Sequence, residues 1–128
     1  MKRIGSFLLT TILILLAGGV ICLLLFHTES KVEKFNVSDY SRYIDQFPSD
    51  KVLGPINSAK IAKEKAEVIW IELYGEEVKQ KKPYSVFFDE IHGIWMIQGS
   101  LTENWIGGVP YIIIQKSDGK ILAVWHEK

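Results

Sequence analysis

The chain has 128 residues, a length that suits one small domain, and its 15 basic and 15 acidic residues give a net charge of zero. Lys2 and Arg3 precede every acidic residue, so the chain from Glu29 onward keeps 13 basic and 15 acidic residues, a net charge of −2. This balance provides no basic surface for nucleic acid or anionic lipid. The single cysteine, Cys22, excludes an internal disulfide, and we expect no cofactor.

Residues 1–27 predict a transmembrane signal anchor. Residues 4–26 carry no charge and are rich in Leu, Ile, Val and Phe. At about 1.5 Å per residue, such a helix would cross a hydrocarbon core of about 30 Å. Because basic residues beside a first span stay in the cytoplasm, Lys2 and Arg3 place the N-terminus inside. We therefore expect a single-pass protein whose C-terminal domain lies on the extracytoplasmic side.

Two other interpretations of this segment stay open. Ala17-Gly18-Gly19 could be a signal-peptide cleavage site, although Val20–Phe26 continues the apolar run beyond it. Cys22 could be a lipoprotein cysteine, but Ile21 stands where a lipobox needs a small residue. The uncleaved anchor is therefore the preferred interpretation.

Residues 28–56 predict a tether that contains one short helix. Between Val37 and Phe47 the apolar residues recur at steps of three and four, which suits one face of a helix. Asn36 or Ser38 could cap this helix, and Pro48 would end it. The folded domain is then expected over residues 57–128.

A longer helix is predicted over Ser58–Leu73, before a glycine cap at Gly75. The apolar period then changes to two, which predicts strands joined by short turns. These strands are expected at Tyr84–Asp89, from Ile94 to near Gly99, at Val109–Gln115 and at Ile121–Trp125. The predicted fold class is α+β: an N-terminal transmembrane helix, then one or two helices packed on a four-stranded antiparallel meander of cystatin-like or cone-like form. We expect Trp70 and Trp95 in its core.

The side chains that could perform chemistry do not form a recognisable catalytic or metal-binding pattern. None of the three histidines, His27, His92 and His126, pairs with another at the spacing of a helical metal site. Asp89 and Glu90 are adjacent in sequence, and adjacent strand residues point to opposite faces. We therefore expect neither a metal nor an enzymatic activity.

A series of short motifs follows the predicted helix: Tyr74-Gly75-Glu76, Lys82-Pro83-Tyr84, Trp95 with Gly99 and Leu101, Gly107-Gly108-Val109-Pro110-Tyr111, Lys116-Ser117-Asp118-Gly119-Lys120-Ile121-Leu122, and His126 with Lys128. In this order they resemble the bacterial immunity proteins with a nuclear-transport-factor-2 fold, especially their short YbbC/YhhH-type group, over about Pro55–Lys128. The resemblance implies a protein that binds and neutralises a cognate toxin of a polymorphic toxin system, without catalysis. The membrane would then be the bacterial inner membrane.

Two functions stay open at this point. The first is a membrane-anchored immunity protein, and the second is an anchored PepSY-like module that binds or inhibits a peptidase or another envelope protein. The loop Thr102–Gly108 is our predicted contact surface, with Glu103, Asn104 and Trp105 as its partner-binding residues. Trp105 could instead fold back as a lid on the domain's own core.

Overall fold

A computed structural model describes residues 31–101 and 108–127 of the chain. These residues form an α+β domain around one five-stranded sheet with the strand order β1-β2-β3-β4-β5. The strands are β1 (Val32–Lys34), β2 (Ser85–Asp89), β3 (Ile94–Gln98), β4 (Val109–Gln115) and β5 (Ile121–Glu127). The α-helices are α1 (Ser41–Gln46) and α2 (Ala59–Tyr74), and 3-10 helices span Val37–Tyr40 and Glu76–Lys81.

The predicted four-stranded antiparallel sheet is wrong, because the sheet has five strands and is mixed. β1 pairs in parallel with β2, with Val32 opposite Val86 and Lys34 opposite Phe88. The remaining neighbours, from β2 to β5, pair antiparallel. β1 lies among the residues for which a tether was predicted. Its three residues are all exposed, so they show no alternation between apolar and polar positions, and a parallel partner leaves no hairpin turn in the sequence.

The fold prediction also placed a transmembrane helix before the domain, and this element does not fit the structure as described. Within residues 31–101 and 108–127, no helix combines the length and the apolar composition that a membrane crossing requires. The residues for which the transmembrane helix was predicted, 4–26, lie outside the described residues.

The long helix α2 begins and ends as its sequence predicts. The Ser58 hydroxyl oxygen accepts a hydrogen bond from the Ile61 backbone N–H at 3.2 Å, which satisfies one of the free donors of the first turn. Gly75 follows the last helical residue at φ +89°, in the left-handed region that favours glycine. α2 therefore has a defined start and stop within one short stretch of sequence.

One face of the sheet packs against α2 and forms the larger apolar core. The buried side chains of α2 are Ala62, Ala66, Ile69 and Trp70. Trp70 and Trp95 are buried, as expected from the sequence. Their indole N–H groups donate to the carbonyl oxygens of Tyr111, at 3.4 Å, and Ile56, at 2.9 Å, so neither ring leaves a buried donor unpaired.

The opposite face of the sheet, which we call the second face, carries a separate and more aromatic cluster. Its buried members are Ile94, Met96, Ile113, Ala123 and Trp125, and the residues packed against them include Phe35, Val37, Tyr40, Tyr43 and Ile44. The predicted helix near Val37–Phe47 exists as a 3-10 turn followed by α1. It begins at Asn36, whose side-chain oxygen accepts from the Ser38 N–H at 3.0 Å.

The outer edge of β5 is covered by the segment between α1 and α2. The Val124 N–H donates to the Phe47 carbonyl at 3.1 Å, and the Ile121 N–H donates to the Lys51 carbonyl at 3.0 Å. Gly119, at φ +71°, allows this approach, because a Cβ there would lie 2.0 Å from the Gly54 carbonyl oxygen. The free edge of an otherwise aggregation-prone strand is thereby closed.

Candidate functional site

The predicted contact residues Glu103, Asn104 and Trp105 lie outside the described residues. The elements on either side of them are described: β3 ends at Gln98, and β4 begins at Val109. Val109 pairs with Glu127, so β5 ends beside the same loop. We call this end of the sheet, where β3 ends, β4 begins and β5 ends, the loop end.

The segment that leads from β3 into the loop is held to the domain by its backbone. The Gly99 N–H donates to the Pro110 carbonyl at 2.9 Å, and the Ser100 N–H donates to the Lys81 carbonyl at 2.7 Å. The Ser100 hydroxyl donates to the Pro83 carbonyl. A Cβ on Gly99 would lie 2.7 Å from the Pro110 ring, so only glycine fits this close approach. The chain therefore enters the predicted contact loop from a fixed position.

Several apolar side chains at the loop end face solvent. Leu101, the last described residue before the loop, is 70% exposed, and Leu73 near the end of α2 is 52% exposed. The neighbouring Tyr74 ring lies 5.0 Å from the His126 ring, which joins the end of α2 to the end of β5. Partial burial raises the pKa of Tyr74 above its usual range, so its hydroxyl stays protonated. Apolar side chains are also exposed at the other end of the sheet, Ile91 at 88% and Val52 at 62%, so exposure alone does not distinguish the loop end.

A polar cluster lies between α2 and the start of β2. The Tyr84 hydroxyl donates to Glu67 Oε2 at 2.7 Å, and Lys82 Nζ lies 3.1 Å from the same oxygen. The hydrogen bond from Tyr84 is the largest cause that lowers the pKa of Glu67. Burial first, and then Glu67, raise the pKa of Tyr84. These shifts favour the carboxylate of Glu67 and the protonated hydroxyl of Tyr84, the two forms that this hydrogen bond requires.

The adjacent carboxylates Asp89 and Glu90 have different surroundings. Glu90 is exposed, whereas Asp89 is buried and accepts from the backbone N–H of Val37 at 2.8 Å and of Ile91 and His92 at 3.0 Å. The His92 Nδ1 atom is 2.9 Å from Asp89 Oδ2. The bond from Val37, with help from His92, lowers the pKa of Asp89 to about 2. Asp89 therefore closes the β2–β3 turn and holds the segment that covers the second face.

The histidines occupy separate places. His92 is engaged with Asp89 in the β2–β3 turn, His126 lies beside Tyr74 at the loop end, and His27 lies outside the described residues. In residues 31–101 and 108–127, no three His, Cys, Asp or Glu side chains are grouped as metal ligands would be.

One group of polar aromatic residues at the loop end was missed by the sequence reasoning. Tyr40, Tyr43 and Tyr111 lie on the second face with the carboxylate of Glu127, and the Tyr43 hydroxyl donates to Glu127 Oε1 at 3.0 Å. The spacing of Tyr40 and Tyr43 by three residues is a helical signal that could have indicated a shared face. Their meeting with Tyr111 and Glu127 depends on chain folding over long sequence separations, which no local pattern shows.

The described residues form a small α+β domain with exposed apolar groups at both ends of its sheet. Residues 61–128 match the family model Imm-NTF2-2, described as NTF2 fold immunity protein. The match covers more than half of the chain, and the chain therefore belongs to the NTF2 fold immunity protein family. No curated protein and no solved structure matches it. The resemblance predicted from the sequence is confirmed, and with it a toxin-neutralising immunity role in general.

Proposed function

We propose that this protein neutralises a cognate toxin of a bacterial polymorphic toxin system by forming a stoichiometric complex with it, without turnover. The family match over residues 61–128 is the observation that carries this proposal. In the structure, Glu67, Tyr84 and Asp89 are engaged in hydrogen bonds within the domain, which gives them roles in its folding.

The loop end of the sheet is the proposed contact surface. It combines Leu73, Tyr74 and Leu101, which are exposed, with the loop that carries Glu103, Asn104 and Trp105. Binding energy at protein interfaces is concentrated in a few apolar and aromatic anchors, and rigid anchors lose little entropy on association. The fixed approach of the chain through Gly99 and Ser100 supports such preorganisation on the described side of the loop.

We further propose that the domain acts on the extracytoplasmic side of the bacterial inner membrane. This location rests on the sequence alone, with Lys2 and Arg3 preceding the uncharged residues 4–26. A phosphatase that is active only outside the cytoplasm, fused after Lys128, should be active in intact cells. Activity of a cytoplasm-dependent reporter at the same junction, with an inactive phosphatase, would reverse the orientation.

The proposed mechanism is tested by titration of a toxin encoded beside this chain's gene with the purified full-length protein. Toxin activity should fall in proportion to the protein added and reach zero at a fixed molar ratio. If much less than one molar equivalent of the protein inactivates the toxin progressively, the protein turns over and the mechanism is enzymatic. If the protein fails to neutralise the toxin but inhibits an envelope peptidase, the PepSY-like alternative is favoured.

A matched pair of variants locates the contact surface. Leu101→Asp places a charge at the loop end, and Val52→Asp places the same charge at an apolar residue of comparable exposure. Val52 pairs with Lys120 beside the β4–β5 turn, at the opposite end of the sheet. We expect Leu101→Asp to weaken toxin binding and Val52→Asp to leave it unchanged. The reverse result would place the contact surface at the β4–β5 end.

A further inference from the structure

The second face carries an ordered stack of rings at the loop end. Trp125 packs between Tyr43, with ring centres 4.5 Å apart, and Tyr111, at 5.0 Å and an angle of 3°. Tyr40 lies 5.9 Å from Tyr43 and 6.3 Å from Trp125. Glu127 follows Trp125 by two residues in β5 and so projects to the same side of the sheet. The Glu127 carboxylate therefore lies beside the phenol rings of Tyr40, Tyr43 and Tyr111.

The phenols and the carboxylate interact directly. The Tyr43 hydroxyl donates to Glu127 Oε1 at 3.0 Å, and this bond is the main cause of a raised pKa for Tyr43. Burial is the main cause of the raised pKa of Tyr40 and Tyr111, and the charge of Glu127 raises both further. The three hydroxyls therefore stay protonated, and the cluster keeps the single negative charge of its carboxylate.

Among the described residues, Glu127 is one of several glutamates without an ion pair, as are Glu64 and Glu90, and it is the one of these that accepts a hydrogen bond from a tyrosine hydroxyl. Glu67, Glu72 and Glu76 each form an ion pair with a lysine. Within residues 31–101 and 108–127, no lysine or arginine forms an ion pair with Glu127, which is exposed.

The other charges that reach these tyrosines nearly cancel. Asp39 raises the pKa of Tyr40, and Arg42 opposes the rise at Tyr43. Among the described residues, Asp39, Arg42 and Glu127 together carry one negative charge, and the chain from Glu29 onward has an excess of acidic residues. A cation is therefore the complementary charge.

We infer that the cluster of Tyr40, Tyr43, Tyr111 and Glu127 receives an arginine side chain of the toxin. A guanidinium is planar, can form two parallel hydrogen bonds to one carboxylate, and stacks on aromatic rings. The cluster presents a carboxylate beside partly exposed phenol rings, which are the two groups that this cation prefers. The inference rests on the proposed function and names the chemistry by which one part of the toxin is recognised.

The first experiment measures toxin affinity with the full-length protein. The probe is a catalytically inactive variant of the toxin encoded beside this chain's gene. Glu127→Gln keeps the shape of the side chain and removes its charge, and Tyr43→Phe keeps the ring and removes its hydroxyl. We expect Glu127→Gln to raise the Kd about tenfold and to flatten its dependence on salt, with a smaller effect for Tyr43→Phe. Glu90→Gln is the matched control, since Glu90 is exposed in the β2–β3 turn at the other end of the sheet.

Unchanged affinity and salt dependence in Glu127→Gln, when the parent binds the toxin, would overturn this inference and leave the proposed function intact. Failure of the parent to bind or neutralise the toxin would overturn the proposed function instead. The two failures are therefore separate results.

A second experiment tests the cluster without a toxin. An acetylated and amidated Gly-Arg-Gly peptide is titrated against the full-length protein while the ring resonances of Tyr43 and Tyr111 are followed by NMR. The control peptide has citrulline, which is neutral and nearly isosteric, in place of arginine. We expect saturable shifts with arginine only, at a Kd of about 1 mM, and their loss in Glu127→Gln. Equal shifts with both peptides would overturn the assignment of a cation to this cluster.

Discussion

The two faces of the sheet are covered by different kinds of structure. The face under α2 is packed with branched aliphatic side chains around two buried tryptophans, and its helix has 16 residues and defined ends. The second face is covered by Phe35, a 3-10 turn and the six-residue helix α1, and aromatic rings make many of its contacts. The first arrangement buries a continuous core, and the second leaves polar ring edges accessible.

This difference coincides with the extent of the family match. α2 lies mostly within the matched residues 61–128, whereas β1 and α1 precede them. We expect the α2 face to determine the fold and the second face to carry features particular to this chain. The following variants test that division, beginning with the largest expected loss of stability.

Replacement of Trp70 by alanine should cause the largest loss. The ring is fully buried under α2, and its removal should lower the free energy of unfolding by about 3–5 kcal/mol. Urea denaturation of the full-length protein measures this change. Val68→Ala is the control on the same helix, since Val68 is mostly exposed and should cost less than about 0.5 kcal/mol. Similar losses for both variants would contradict the assigned helix face.

Phe35→Ala should cost about half as much, roughly 2 kcal/mol, because the ring is only partly buried. Phe35 meets the rings of Tyr40 and Phe87 edge to face, at 5.8 and 6.5 Å, and so links the covering segment to the sheet. The same denaturation experiment compares the two faces, with Phe35→Leu as the variant that keeps most of the apolar volume. A loss as large as that of Trp70→Ala would mean that both faces are equally necessary for the fold.

Asp89 should make the domain sensitive to acid. Its pKa is about 2 in the folded state and 3.8 as the ordinary value, so the folded state favours the carboxylate. The resulting stability is present above about pH 4 and is lost as the pH falls from 4 towards 2. We expect Asp89→Asn to lower the melting temperature at pH 6 and to reduce its further fall between pH 4 and 2. Glu90→Gln should retain the parent's profile, and an unchanged profile in Asp89→Asn would contradict the role assigned to Asp89.

The same division explains which features were predictable from the sequence. α2, its caps at Ser58 and Gly75, the four strands β2 to β5 and the buried Trp70 all follow from local periodicity and turn chemistry. β1 does not, because three exposed residues that pair in parallel with a distant strand leave no local pattern. The convergence of Tyr43 and Glu127 is hidden for a related reason, since 84 positions separate them and only the folded sheet brings them together.

Trp105→Ala should change stability least while weakening binding most, if the loop end is the contact surface. Truncation of an aromatic anchor in an interface commonly costs about 2 kcal/mol or more of binding free energy, which raises the Kd about thirtyfold. Calorimetric titration with the inactive toxin measures this change, and thermal melting of the free protein measures stability. The lid hypothesis predicts the opposite pattern, because removal of a ring that covers the domain's own core would lower the stability of the free protein. A marked fall in melting temperature would therefore support the lid, whereas weaker binding with unchanged melting would support the contact and extend the recognition surface from the Glu127 cluster across the loop end.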